Sequence, residues 1–187
     1  MNIRYIAYIV FCLIILSACN ANQPIEKKID SFSFTDQNNQ PFGITDLSES
    51  IWISNFIFTS CETVCPRMTS EMASLQKTLK KEGIEVEFVS FSVDPEVDSP
   101  EILKEYINQY TDNETNWHML TGYTQKEIEA FAREQFQTIV QKPDTSNQVI
   151  HGTTFYLIDD RGFILNEYNY VDDSYEDEII NDIKEIS

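Results

Sequence analysis

At 187 residues, with 13 Lys and Arg against 31 Asp and Glu, the chain carries a formal charge of −18. A surface this acidic repels phosphate backbones and anionic lipid heads, which sets nucleic acid aside as a partner. The length suffices for one compact domain with its own apolar core, so disulfide staples are not needed to hold a fold.

Residues 1–18 have the layout of an export signal: Arg4, an apolar run from Tyr5 to Leu16, then the small residues Ser17 and Ala18 before Cys19. The run is about a dozen residues, short of the ~20 that a spanning helix needs, so cleavage is expected. "LSAC" resembles the bacterial lipobox, and on that resemblance Cys19 receives a diacylglyceryl group and becomes the mature N-terminus. Acyl chains there would anchor the protein on the extracytoplasmic face of a bacterial cell membrane, at ~0.8 kcal/mol per buried methylene. Residues 19–28 then read as a lipid-anchored tether and 29–187 as the folded domain. With Cys12 in the signal and Cys19 lipidated, that domain keeps Cys61 and Cys65. They can pair with each other or with a metal.

"SFSFTDQNNQPFGI" alternates around Asn38-Asn39 and predicts a β-hairpin at the domain's start. Ile51–Phe58 ("IWISNFIF") is a nearly continuous apolar run, as a buried central strand should be. The loop "TSCETVCP" follows, and Pro66 suits the first turn of a helix. Met68, Met72, Leu75 and Leu79 recur at helical spacing until Gly83, so these methionines read as core rather than copper ligands. A second strand spans Ile84–Val93, a helix Ser99–Tyr110, and "TQKE" at Thr124 is a capping box opening a helix to about Gln135. "VIHGTTFYLIDDRGFILNEY" predicts two strands joined by a turn at Asp160-Arg161-Gly162, and the acidic C-terminus predicts an amphipathic helix over Ser174–Ile186. This order implies an α/β protein with a mixed central sheet flanked by helices, and the cysteine pair in the first βα turn points to the thioredoxin-like fold with an N-terminal hairpin extension. Ligands of such sheets gather at strand carboxyl ends, where Cys61 and Cys65 fall.

The chemistry of that pair stays open on spacing alone. Four residues of helical rise, at ~1.5 Å each, suit the ~4.4–6.8 Å between the Cα atoms of a disulfide and also two sulfurs ~2.3 Å from a shared metal. Cys65, beside Pro66, is the cysteine whose thiolate the helix dipole should favour. His151 opens the strand "TTFYLID", a run that in thioredoxin-like oxidoreductases resembles "PTTFLID"; here Gly152 takes the proline's place. If the fold holds, an imidazole faces the dithiol. Two sulfurs and one nitrogen fall short of the four ligands of structural zinc and suit copper in either oxidation state.

"FTSCETVCP", "SVDPE", "WHMLTG" and "IHGTTFYLIDDRG" together resemble the SCO/SenC family of copper-binding proteins, which help assemble the binuclear copper centre of cytochrome c oxidase. The resemblance implies that Cys61, Cys65 and His151 are copper(I) or copper(II) ligands, with the copper-binding subunit of the oxidase as recipient. It also implies a site-tuning role for Asp94, as the acidic neighbour of the ligands. Many members have proline after the first cysteine and aspartate before the histidine, where this chain has Glu62 and Ile150. The alternative is a thiol–disulfide oxidoreductase whose Cys61–Cys65 pair acts on partner cysteines, itself recharged by an external reductant. CxxxC spacing and the absent proline weigh against it.

Overall fold

The chain, taken as a computed structural model, is described for residues 27–186; the expected signal segment and Cys19 lie outside the described residues. Eight strands and four helices follow in chain order. They are β1 (Lys27–Lys28), β2 (Ser33–Thr35), β3 (Pro41–Gly43), β4 (Trp52–Ile57), α1 (Cys65–Glu82), β5 (Glu87–Ser92), α2 (Pro100–Ile107), β6 (Trp117–Leu120), α3 (Gln125–Phe136), β7 (Thr154–Ile158), β8 (Phe163–Asn169) and α4 (Tyr175–Ile186). Six strands form one mixed sheet in the order β1-β8-β7-β4-β5-β6.

The parallel centre is built from β4, β5 and β6, while β7 runs antiparallel to β4. That single reversal positions the site, because the amino end of β7 comes to lie beside the carboxyl ends of β4 and β5. The expected hairpin is present as β2 and β3, with Phe34 opposite Phe42. Two strands emerge that the sequence reading lacked. β6 is the parallel edge partner of β5, and β1 pairs Lys27 and Lys28, the last two residues of the expected tether, with Ile164 and Phe163 of β8.

Alternation along the buried strands divides the core in two. Phe56 of β4 stacks on Phe91 of β5 at 5.5 Å, and Phe136 of α3 meets Phe56, Phe91 and Tyr156, which seats α3 over this face. Phe32 and Phe34 of the hairpin segment extend the same aromatic layer to Phe91 and Phe131. On the opposite face α1 lies under Ser90, whose hydroxyl reaches Met72, and α2 and α4 flank it through Tyr106 to Thr69 and Tyr175 to Glu71. Met68, Met72 and Met119 are wholly buried, as their apolar spacing requires. The punctuation behaves as the residue chemistry predicts: Gly83 (φ 75°) ends α1 in the left-handed region, and Thr124 with Glu127 closes the capping box of α3.

Candidate metal centre

Cys61 lies in the loop leaving β4, Cys65 is the first residue of α1, and His151 stands just ahead of β7. The fold brings all three together: their ligand atoms lie within 4.8 Å of one another. Cys65 is fully buried, Cys61 is 6% exposed, and no disulfide joins them.

Each donor is held by its own local chemistry. His151 Nδ1 lies 2.8 Å from the carbonyl oxygen of Gly152. A carbonyl only accepts, so the proton sits on Nδ1 and the Nε2 lone pair is left bare. That bare nitrogen lies 3.2 Å from Cys65 Sγ. The ring packs edge-on against Phe58 at 5.6 Å, and burial, against the weaker opposing effect of the Gly152 carbonyl, holds the imidazole below its ordinary pKa, in the neutral form that ligates. A Cβ at position 152 would fall 2.8 Å from Thr138 Oγ1, so a side chain there would require the Thr138 hydroxyl to shift.

The two sulfurs differ, and not as the helix-dipole argument expected. Burial drives the Cys65 thiol well above its ordinary pKa, with the charges of Cys61 and Asp98 adding to the effect. Cys61 is opposed by burial too, yet the backbone amides of Cys65 and Thr63 outweigh it and hold its thiol below the usual range. The geometric reason is that the amide of Cys65 points back along the chain and donates to Cys61 Sγ at 3.4 Å. A helix start stabilises the anion lying ahead of it rather than the side chain of its own first residue. The favoured thiolate is therefore Cys61.

The Asp94 carboxylate is turned to the Lys142 ammonium at 2.7 Å, and Lys142 also reaches Glu96 at 3.0 Å. Lys142 belongs to the segment between α3 and β7, where a Gln141–Ile150 bridge folds the chain back toward His151. Asp94 thus anchors the His151 segment through a lysine that sequence reasoning missed. A second missed residue is Asp98, 0% exposed, which accepts hydrogen bonds from the amide and hydroxyl of Thr59 and from Ser92 Oγ. Its one local signal was its place just before the Ser99 cap of α2. His118 stays apart from the site, stacked on Phe42 at 3.8 Å with Asp36 and Glu87 nearby.

Buried soft sulfurs with a neutral, oriented imidazole form a donor set suited to a soft or borderline metal rather than to a hard, oxygen-seeking ion. A thioredoxin-like sheet carrying a Cys-Cys-His claw at its strand ends defines the class. The SCO1/SenC family profile matches residues 20–187, and the chain belongs to that family.

Three solved structures show how far the likeness extends. A SCO1/SenC family lipoprotein from Bacillus anthracis str. Ames is 45% identical, with a TM-score of 0.85 over 88% of this chain and 97% of that one. BsSco, a member of the Sco family of cytochrome c oxidase assembly proteins in which a disulfide switch has been identified, is 44% identical, with a TM-score of 0.80 over 88% and 95%. Yeast Sco1 with copper bound is 25% identical, with a TM-score of 0.70 over 84% and 89%.

Proposed function

We propose that the protein is a membrane-anchored extracytoplasmic copper chaperone that helps assemble the binuclear copper centre of cytochrome c oxidase. The observation that carries this reading is the convergence of Cys61, Cys65 and His151 from three separate segments, with the bare His151 Nε2 aimed at Cys65 Sγ. In this reading Cys61 and Cys65 hold copper through sulfur and His151 through Nε2, and bound copper is the cargo. Three ligands leave a coordination position through which a donor from the recipient subunit enters, so the metal passes by ligand exchange.

The rest of the reading concerns placement. We assign 1–18 to a cleaved signal, 19–28 to a tether lipidated at Cys19, and 29–187 to the copper-binding domain, in keeping with the lipoprotein from Bacillus anthracis. Support for the orientation comes from β1, which joins the Phe163–Ile164 end of β8, whereas His151 precedes Thr154 at the other end of that strand pair. A tether ahead of Lys27 would leave the claw facing away from the membrane. Among the described residues no helix is long and apolar enough to cross a membrane.

The test is titration of the reduced 20–187 chain with Cu(I) and Cu(II) against competing chelators while recording optical spectra. Tight one-to-one binding with a sulfur-to-copper charge-transfer band is expected. Binding no stronger than that of a Cys61→Ala/Cys65→Ala control would overturn the reading. One observation favours a second reading, in which Cys61, the thiolate-favoured sulfur, attacks a partner disulfide. Cys65 then displaces the partner from the mixed disulfide, two electrons pass to the partner, and Cys61–Cys65 closes. Catalytic reduction of a partner disulfide by a chain that binds no copper would establish it.

A further inference from the structure

Of the buried carboxylates among the described residues, Asp98 is the most completely shielded, and no basic side chain pairs with it. Asp94, four residues earlier, has Lys142. A buried charge lacking a counter-ion costs stability: burial pushes the Asp98 carboxyl above its ordinary pKa, and three donors oppose that by favouring the ionised form, namely the Ser92 hydroxyl, the Thr59 hydroxyl and the Thr59 amide at 3.2 and 3.3 Å. Two of those donors belong to Thr59, two residues before Cys61 in the loop that presents the first sulfur. The carboxylate also lies within electrostatic reach of Cys65. So the fold has placed a buried carboxylate without a basic partner within electrostatic reach of Cys65 and fastened the cysteine loop to it.

We infer that Asp98 is a positioning residue of the metal centre, gripping the Cys61 loop through Thr59 and setting a fixed negative charge behind Cys65 that biases the site toward copper(II) over copper(I). The inference rests on the copper reading above. Two thiolates and a neutral imidazole carry two negative charges, so copper(I) leaves the claw at −1 and copper(II) leaves it neutral. A fixed anion nearby repels the first state and tolerates the second. Because its three donors are themselves buried or part-buried, Asp98 exerts this bias without occupying a ligand position.

The experiment compares the full-length reduced chain with Asp98→Asn, which keeps the shape and an oxygen acceptor but removes the charge, and with Asp98→Glu, which keeps the charge. Affinities for Cu(I) and Cu(II) are measured against competing chelators, and the potential of the bound copper is measured directly. Asp98→Asn is expected to lower the ratio of Cu(II) to Cu(I) affinity about tenfold, which raises the copper potential by about 59 mV for a one-electron couple. Asp98→Glu should keep the ratio within about twofold of the wild type. Thr59→Val should weaken both affinities and move the ratio less than Asp98→Asn does, because it loosens the loop and removes one donor to the carboxylate without removing the carboxylate itself.

A ratio cancels any loss of folded protein, so instability cannot imitate the result. Should Asp98→Asn not fold, Thr59→Val/Asp98→Leu removes the carboxylate together with one of the two hydroxyls that donate to it and carries the same expectation. Tight wild-type binding with an unchanged ratio in the charge-removing variants overturns the role of Asp98 alone. Absence of copper binding by the wild type overturns this inference and the copper reading together.

Discussion

The two ends of the central sheet offer opposite kinds of concavity. At the amino ends of β4 and β5 lies an open groove of about 760 Å³, bordered by Glu49, Glu87, Gln76, Asn113 and Asn116. Its polar groups answer one another: Gln76 donates to the Asn113 carbonyl and to Asn116, and Asn116 donates to the Val86 carbonyl. At the other end, Cys61, Cys65 and His151 converge with their ligand atoms within 4.8 Å of one another. What distinguishes the functional end is three metal-ligating atoms gathered together, an imidazole nitrogen and two thiol sulfurs, whereas the amides named in the groove serve to hold one another.

Mutations sharpen that contrast in graded fashion. Cys65→Ala removes a fully buried sulfur and should reduce copper affinity by roughly a thousandfold or more in a chelator competition, since each ligand carries a large share of the binding free energy. His151→Ala should cost roughly a hundredfold while still allowing the Cys61–Cys65 disulfide to form, as read by thiol counting after mild oxidation. Unchanged copper affinity in that variant would remove His151 from the site. Lys142→Ala frees the His151 segment from Asp94 and Glu96, and should weaken copper binding only about tenfold, at the low end of effects from groups that orient ligands.

At the groove end, Gln76→Ala should leave copper affinity unchanged and lower stability by about 1–3 kcal/mol in chemical denaturation, because it removes the amide that donates to the Asn113 carbonyl and to Asn116 and accepts from the Thr111 hydroxyl. A copper effect there would erase the distinction between the ends. A further comparison lies inside the claw. In the reduced, metal-free chain, Cys61 should react with iodoacetamide faster than Cys65, as mapped by peptide mass spectrometry. The Cys61 thiol is held below its ordinary pKa and the Cys65 thiol above it, so as pH rises Cys61 ionises first and its rate climbs at pH values where Cys65 is still a thiol. Equal rates would show that the Cys65 amide does not select between the sulfurs.

Folding stability follows the same signs. The depressed pKa of Cys61 contributes stability present above the unfolded thiol pKa and lost as pH falls through the folded value. The raised pKa of Cys65 contributes stability present below the unfolded pKa and lost as pH climbs through the folded one.

Local chemistry was legible where a few neighbouring residues settle the outcome. The apolar run of β4, the helical spacing of Met68 to Leu79, Gly83 as a stop and the Thr124–Glu127 capping box all act within one or two turns of chain, and each stands where the residues imply. CxxxCP and the downstream histidine likewise carried the likeness to the SCO/SenC family. β6 and β1 were missed because a four-residue and a two-residue strand have no periodicity of their own; their partners in β5 and β8 make them strands.

The residue sequence by itself determined the donor types, the soft character of the site and the elements that carry them, since these follow from side-chain chemistry and short-range spacing. Only the tertiary structure decided that β7 runs antiparallel to β4, which brings His151 to a sulfur 86 residues away. It also decided that the helix-start amide serves Cys61 rather than Cys65, and that Asp98 reaches Thr59 across 39 residues while Lys142 reaches Asp94 across 48. Hydrogen bonds and charge fields act over a few ångströms of space regardless of separation along the chain. Residues without a local pattern therefore acquire their roles only once the sheet has closed around them.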